Sequence, residues 1–403
     1  MLKTKPVSEV KQIIQHTFGK MRTDSETVPL QDALWRVLAE EMIASAYIPH
    51  FDRSTVDGYA VKVGDLSDCS ESSPARLALV GQSKMGEHTE FHIENGQCAY
   101  VPTGGEVPTG TETMVMLEDT RELGEDLIGF TKPYREKMNM IFRGEDMEPG
   151  DRVIAAGKRL KVADIGTLAV MGIVNVPVMK RPRVGIVSTG DELVPATDLL
   201  TRAGMIRDVN TPMLQHAVQV SGGKPHCYGI LKDDQQGISD LIKKAMTECD
   251  LLLVSGGTSM DARDTLTAIV ADLGEVIVHG ITVKPGKPTI FGAIQGKPIF
   301  GVPGNPVSAY FTFHTFVRPL LHSFLGTPVV DRKVILPLSR KFITNHGREE
   351  YVPVIVKDGM AYPVFSKSGL ITTVSCADGY MVVPRDQNEV EEGTWVEVTF
   401  LDG

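Results

Sequence analysis

The strongest constraint on the fold is a regular alternation of strand-like and helix-like segments between residues 183 and about 325. Apolar runs such as RVGIVS and DLLLVS alternate with segments in which apolar residues recur at helical spacing, such as GISDLIKKAMTEC. This alternation is typical of a mostly parallel sheet with helices on both faces. The sequence therefore predicts a three-layer α/β/α domain over residues 181–327.

The segments on either side of this region have other patterns, so an α/β multidomain chain is predicted. Helical spacing predicts one helix around Val10 to Phe18 and a second over residues 29–42, PLQDALWRVLAEEM. Short alternating runs broken by glycine and proline predict a small β-rich domain over 46–140. Residues 1–45 and 141–180 would form a discontinuous N-terminal linker or helical domain, and 328–403 a C-terminal β-barrel domain.

Charge and cysteine usage exclude several classes of function. A formal net charge of -10 argues against a general binder of nucleic acid or of a membrane surface, because both need a basic field. The five cysteines are scattered and form no CxxC pair, which predicts reduced thiols in a cytoplasmic protein, without disulfides or a zinc site. No apolar stretch reaches the roughly 18 residues of a membrane span, and the first residues lack a signal-peptide pattern.

Polar clusters follow the predicted strands of the α/β region. In open α/β sheets, ligands bind beyond the carboxyl ends of the strands. Each cluster alone is also compatible with an ordinary turn, but together they indicate a site. Neither GxGxxG nor GxxxxGK[ST] occurs there, so the usual signatures of dinucleotide and P-loop binding are missing. The clusters are STGDE (188–192), LKDD (231–234), SGGTSMDARD (255–264) and PGNPVS (303–308).

Two of these clusters have the chemistry of a phosphate or oxyanion site. Gly256 and Gly257 let the backbone approach a ligand closely. Nearby amides and the hydroxyls of Thr258 and Ser259 could then hold phosphate oxygens. The PGNPVS turn precedes a long predicted helix whose N-terminus can hold an anion, and a rigid turn at its prolines is compatible with that use.

Basic residues for the same anion lie in the turn VKPGKP at 283–288, which supplies Lys284 and Lys287. In an acidic protein, two lysines around a Pro-Gly turn fit an anion pocket. A solvated turn is the alternative, because exposed lysines are common in turns.

Carboxylates at predicted strand ends suggest a hard cation beside the phosphate. Magnesium usually keeps several waters and takes one or two carboxylates. Glu192, Asp233 and Asp264 are expected to converge because each lies at a strand end, while Asp191 and Asp234 could face elsewhere. Helix capping is an alternative use of Asp264.

Seven motifs in the same order resemble those of the MoeA family, the molybdopterin molybdenumtransferases, which is also represented by the E domain of gephyrin. The resemblance runs through most of the chain. The motifs are FDRSTVDGYAV (51–61), VPTGGEVPTG (101–110), RGEDMEPGD (143–151), STGDEL (188–193), SGGTSMDARD (255–264), KPGKPTIFG (284–292) and GVPGNPVSA (301–309).

The resemblance implies an elongated, four-domain homodimer with a MogA-like central domain. Its cleft would lie between the α/β domain of one subunit and the N-terminal domains of the partner. The implied reaction is a transferase reaction, the insertion of molybdate into adenylated molybdopterin to give molybdenum cofactor and AMP. A divalent cation, typically Mg²⁺, is the implied cofactor.

The resemblance and the loop chemistry together predict the site residues. Catalytic positions are Asp57, Thr103, Asp146, Glu192, Asp233, Asp264, Lys284 and Lys287. Substrate contacts are expected at Ser255, Gly256, Gly257, Thr258, Ser259, Pro303, Gly304, Asn305, Pro306, Ser308, Arg348 and Ser368. The metal would be held by Glu192, Asp233 and Asp264.

Two other functions fit parts of the pattern. A MogA-like adenylyltransferase would use the same glycine-rich loop, but such enzymes are usually a single domain; a transient contact with such an enzyme is expected instead. A gephyrin-like scaffold without turnover is the second alternative, and the retained acids and lysines argue against it.

Overall fold

The computed structural model describes residues 4–256, 260–344, 347–365 and 367–401, and the side chains of 260–264 are not part of that description. The first part of the chain combines helices with short strands. Its elements are α1 (Val7–Phe18), β1 (Ser25–Pro29), β2 (Met42–Ile43), β3 (Arg53–Ser54), β4 (Gly58–Val61), β5 (Ala75–Gln82), β6 (Gln97–Val101), β7 (Thr113–Met116), β8 (Thr120–Gly124), β9 (Leu127–Phe130), β10 (Met140–Ile141), β11 (Arg152–Ile154), α2 (Val162–Val170) and β12 (Asn175–Met179).

These strands form one larger sheet and several short ladders. The larger sheet has six strands in the order β7-β4-β6-β5-β9-β8. Two-stranded antiparallel ladders join β1 to β12, β2 to β11 and β3 to β10. The chain before this sheet is therefore paired with the chain that follows it.

Helix α1 confirms the prediction from its apolar spacing, and it packs on the core of the central α/β region. Val10, Ile14 and Phe18 are buried in the same cluster as the central strands. The ring of Phe18 meets that of Phe291 edge-on, with centroids 5.7 Å apart.

The helix predicted over residues 29–42 is wrong. Only Leu30–Asp32 form a turn of 3-10 helix, and Trp35 then adopts a left-handed φ of 62°. Leu38 donates its N–H to the carbonyl of Lys158 at 2.9 Å and forms a bridge with Val178. Pairing with two neighbouring segments buries Leu38, and this tertiary contact overrides the helical propensity of the segment.

The central region has the expected alternation of strands and helices. Its elements are β13 (Arg183–Thr189), β14 (Leu193–Val194), β15 (Ile206–Arg207), α3 (Asn210–Val220), β16 (Lys224–Leu231), α4 (Gln235–Glu248), β17 (Leu251–Gly256), α5 (Met260–Leu273), β18 (Glu275–His279), β19 (Val283–Lys284), β20 (Ile290–Ile294), β21 (Lys297–Val302), α6 (Pro306–Thr312) and α7 (Arg318–Phe324). A π-helical turn, Phe313–Val317, joins α6 to α7.

The mostly parallel sheet is confirmed. Its order is β16-β13-β17-β21-β20-β18. The pairs β13/β16, β13/β17 and β17/β21 are parallel, whereas β20 and β18 continue the sheet with antiparallel pairing. Because the four parallel strands point the same way, their carboxyl ends lie along one edge of the sheet.

The last part of the chain is again β-rich. Its elements are β22 (Lys333–Pro337), β23 (Phe342–Ile343), β24 (Glu349–Lys357), β25 (Met360–Pro363), α8 (Thr372–Ser375), β26 (Gly379–Val383), β27 (Glu389–Val390) and β28 (Trp395–Phe400). The main sheet has the order β19-β24-β26-β28-β22, β25 pairs with β24, and Leu338 forms a bridge with Ala361. Strand β19, from the central region, thus belongs to this sheet. Among the described residues, no helix combines the length and apolar character needed to cross a membrane.

Candidate active site

The carboxyl end of β17 carries a bare backbone turn. Ser255 is buried, and Gly256 has a φ of 117°. A Cβ at Gly256 would lie 2.0 Å from the carbonyl oxygen of Thr189, at the end of the neighbouring strand β13. Only glycine therefore fits here. The predicted contacts at Gly257, Thr258 and Ser259 lie outside the described residues.

Asn210, at the start of α3, joins two of the predicted loops. Its Nδ2 donates to Ser255 Oγ at 2.7 Å and to the carbonyl of Gly304 at 2.8 Å. The Gly304 carbonyl can only accept, so the amide nitrogen must face it. Asn210 Oδ1 is buried and has no hydrogen-bond partner among the residues that the structure describes. An unpaired buried acceptor costs about 1–3 kcal/mol, and such groups call for an explanation in function or strain.

The start of α3 is capped by the side chain of Asp208. Asp208 Oδ1 accepts the backbone N–H of Thr211 at 3.0 Å and the hydroxyl of Ser188 at 3.1 Å. Both Asp208 and Asn210 are buried beside the candidate site. Neither residue was assigned to the site from the sequence. The one local pattern that could have indicated them is an acidic residue, Asp208, two positions before a predicted helix.

The PGNPVS turn meets the C-terminal β region. Asn305 precedes α6 and Pro306 is its first residue, where a missing N–H costs nothing. Asn305 Nδ2 donates to Ser368 Oγ at 3.0 Å. Ser308 is buried in the first turns of α6, and Pro303 is buried just before them. The structure therefore brings the predicted Ser368 to the predicted turn.

The lysine turn lies against α6 and β24. Lys284 Nζ forms an ion pair with Glu350 Oε1 at 2.6 Å. A Cβ at Gly286 would lie 3.1 Å from Thr312 Oγ1, which places the turn on α6. Lys287 is exposed, and Arg348 is half-buried immediately before β24. Both predicted lysines and Arg348 thus belong to one part of the molecule.

Acidic side chains gather where β13 and β16 end. Partial burial, and then repulsion from Asp191 and Glu192, raise the pKa of Asp233. Asp191 therefore faces this cluster as well, while Asp234 caps α4 by accepting the N–H of Gly237 at 2.8 Å. The Asp264 side chain lies outside the described residues. Among the described ones, no three acidic, histidine or cysteine side chains form a cage for a metal ion.

Two of the three predicted residues of the N-terminal region are in direct contact. Asp57 Oδ1 accepts the backbone N–H of Thr103 at 2.9 Å. The backbone N–H of Asp146 donates to the carbonyl of Ile48 at 3.0 Å. All three side chains are exposed. Within the described parts of one chain, no hydrogen bond or ion pair joins them to the α/β edge.

Comparison with known proteins assigns the family. Residues 5–172 match the MoeA N-terminal region (domain I and II), 185–323 a probable molybdopterin binding domain, and 336–401 the MoeA C-terminal region (domain IV). A molybdopterin molybdenumtransferase of Bacillus subtilis is 30% identical over 98% of this chain and 94% of its own. The chain belongs to the MoeA family. The family predicted from the seven motifs is thereby confirmed.

Solved structures of relatives agree with this assignment. A molybdopterin biosynthesis MoeA protein from Pyrococcus horikoshii is 35% identical, with a TM-score of 0.84 and full coverage of both chains. A second structure of a MoeA protein from the same organism is 30% identical, with a TM-score of 0.85, and covers 99% of this chain and 100% of that one. The arrangement of α/β and β regions described above is therefore that of MoeA structures.

Proposed function

We propose that this MoeA-family chain is a molybdopterin molybdenumtransferase that inserts molybdate into adenylated molybdopterin and releases AMP. One observation carries the proposal: the Gly256 turn, the N-terminus of α6 and the lysine turn are linked around one edge of the sheet. Bare backbone amides, a helix N-terminus and ammonium groups are the donors that bind phosphates and oxyanions. No serine or cysteine nucleophile is needed for this reaction.

Magnesium fits the acidic cluster as a proposed cofactor. Asp233 and Glu192 are hard oxygen donors. Partial burial, followed by repulsion from Asp191 and Glu192, raises the pKa of Asp233, and a bound cation would offset that repulsion. A pair of carboxylates is sufficient, since Mg²⁺ commonly completes its shell with waters and substrate phosphates. Asp264 is a further candidate ligand. When bound, the cation would polarise the phosphoanhydride and stabilise the departing AMP.

A homodimer would complete the site. Asp57 and Thr103 are in contact, and Asp146 lies beside Ile48 in the same N-terminal region. No contact among the described residues connects any of the three to the α/β edge of their own chain. We infer that a second copy supplies them. The adenylated substrate would come from a separate MogA-like adenylyltransferase through a transient contact.

The direct test is AMP release from purified protein with adenylated molybdopterin, Mg²⁺ and molybdate. We expect release that depends on molybdate. A parallel incubation with molybdopterin and ATP should form no adenylated product. Adduct formation from ATP would identify an adenylyltransferase, and stable partner binding without turnover would identify a scaffold.

Replacing Asp233 by asparagine should separate stability from activity. Folding raises the pKa of this carboxyl, so the stability it provides is complete below its unfolded pKa and is lost as the pH rises through the folded value. At neutral pH the Asp233→Asn variant should therefore be at least as stable as the wild type. We nevertheless expect AMP release to fall about 10- to 100-fold, because the cation loses a negatively charged ligand.

Thermal unfolding with and without Mg²⁺ gives a readout of the cation site that does not depend on turnover. Mg²⁺ should raise the Tm of the wild type more than that of Asp233→Asn at pH 7, and the difference should disappear at acidic pH. The variant Asp240→Asn, on the exposed face of α4, is the control. Equal shifts in all three proteins would exclude Asp233 as a ligand.

A further inference from the structure

Besides Ser368, the C-terminal β region contributes a buried carboxylate next to the lysine turn, that of Glu350. Glu350 is only 5% exposed, although glutamate is rarely buried without a partner. It lies in β24 directly opposite Lys284 in the parallel pairing of β19 with β24. Its Oε1 is 2.6 Å from Lys284 Nζ, close enough for a charge-assisted hydrogen bond.

The two lysines of the turn are therefore in different situations. Lys284 is half-buried and ion-paired, whereas Lys287 is exposed. A lysine side chain has a flexible four-carbon stem and loses considerable conformational entropy when it is fixed. A fixed partner that already orders the lysine side chain reduces the entropy lost when its ammonium binds an anion at one defined point. Glu350 provides that partner for Lys284.

The position of Lys284 is relevant to the proposed site because the turn that follows it packs on α6. A Cβ at Gly286 would lie 3.1 Å from Thr312 Oγ1, a tight contact, and 4.0 Å from the carbonyl oxygen of Ser308. Helix α6 begins at the PGNPVS turn, which is joined to Asn210 and Ser368. A shift of Lys284 would thus move an ammonium whose own turn packs on the helix that begins at the proposed site.

We propose that Glu350 is a positioning residue that orients the Lys284 ammonium toward the oxyanion. An ammonium has three donors, so one N–H can bind Glu350 while the others face the ligand. This inference rests on the proposed function. It gives the C-terminal region a further part in the reaction, because that region supplies the carboxylate that orients a lysine of the central region.

The charge of Glu350 makes this role distinguishable from a structural one. Its carboxylate offsets part of the attraction between Lys284 and a dianion. Replacement by glutamine removes that opposing charge but also releases the ammonium from its fixed direction. Molybdate should then bind at least as tightly, while the reaction slows.

The test compares kcat and KM for molybdate in AMP release for the wild type, Glu350→Gln and Glu350→Asp. We expect Glu350→Gln to lower kcat about 10- to 100-fold, the loss typical of a misplaced group, without raising KM. Glu350→Asp keeps the charge and should recover part of kcat. The control is Glu397→Gln, which removes an exposed ion pair with Lys333 in the same β region and should behave as wild type.

Two kinetic results would overturn the proposal. One is a kcat of Glu350→Gln within about twofold of the wild type, far from the expected loss of at least about tenfold. The other is a fall in kcat accompanied by a matching rise in KM, with no recovery in Glu350→Asp, because this is the result of general disruption.

A second measurement covers the case in which the buried substitution reduces folding. Acetylation of lysines in the folded dimeric or monomeric protein, read by mass spectrometry, reports how firmly each ammonium is held. Glu350→Gln should speed labelling at Lys284 several-fold and leave Lys287 unchanged. Equal rates of labelling at Lys284 in the wild type and in Glu350→Gln would contradict the proposed role of Glu350 in fixing Lys284. Absence of wild-type AMP release would instead refute the proposed function, so the two failures are distinct.

Discussion

Replacing Gly256 by alanine should abolish measurable AMP release and lower the free energy of unfolding. The glycine has a φ of 117°, and an added Cβ would lie 2.0 Å from the carbonyl oxygen and 2.9 Å from Oγ1 of Thr189. A residue forced into such a conformation costs about 1–3 kcal/mol. The overlap with the Thr189 backbone adds a further cost of about 1–3 kcal/mol, as for an overpacked core.

The clash cannot be relieved locally, because Gly256 and Thr189 are register partners in the pairing of β17 with β13. Separating them would displace the turn that carries Ser255 and with it the hydrogen bond from Asn210. We therefore expect loss of substrate binding at temperatures where the variant is still folded. Urea unfolding and AMP release measure the two effects.

Gly229→Ala is the matched control for this substitution. Gly229 lies in the edge strand β16 of the same sheet and also has a positive φ, 85°, but no atom lies within 4 Å of its ideal Cβ. Its replacement should show the conformational cost alone and leave AMP release intact. If Gly256→Ala proved no less stable than Gly229→Ala and still released AMP, the close approach of the two strand ends would have no part in the site.

The central sheet could be predicted from sequence because its information is local. Strand β17 is an unbroken apolar run ending in Ser-Gly, and parallel strands of this kind are buried on both faces. The polar loops at the strand ends could also be placed, since all parallel strands end at the same edge. Gly256 was predicted as a position where the backbone approaches a ligand, whereas the structure shows another requirement for glycine, the close approach of the Thr189 carbonyl.

Contacts between distant parts of the chain could not be predicted. Asn210 meets Gly304 across 94 residues of sequence, and nothing beside Asn210 distinguishes it from a helix cap. Glu350 likewise acquires its significance only from the pairing of β19 with β24. The false helix at residues 29–42 has the same origin, because Leu38 is buried by pairing with segments far along the chain.

Replacing Lys287 by methionine should weaken molybdate binding without loss of stability. The side chain is exposed, and its ammonium has no ion pair or hydrogen bond among the described residues, so the fold loses little. A hydrogen bond to a charged group contributes about 1.5–3 kcal/mol. We therefore expect KM for molybdate to rise about 10- to 100-fold, with a smaller change in kcat.

Salt dependence identifies the cause of this loss. Attraction between an exposed ammonium and a dianion is screened as ionic strength rises, so the KM of the wild type should increase with added salt more steeply than that of Lys287→Met. Lys224→Met is the control. Lys224 is exposed at the start of β16, at the end of the sheet opposite the carboxyl ends of the parallel strands. Equal KM values and equal salt slopes in both variants and the wild type would mean that the oxyanion is held elsewhere. A rise in KM in Lys287→Met but not in Lys224→Met would assign the attraction of the oxyanion to the exposed Lys287. The ion-paired Lys284 would then be the lysine that aligns the oxyanion.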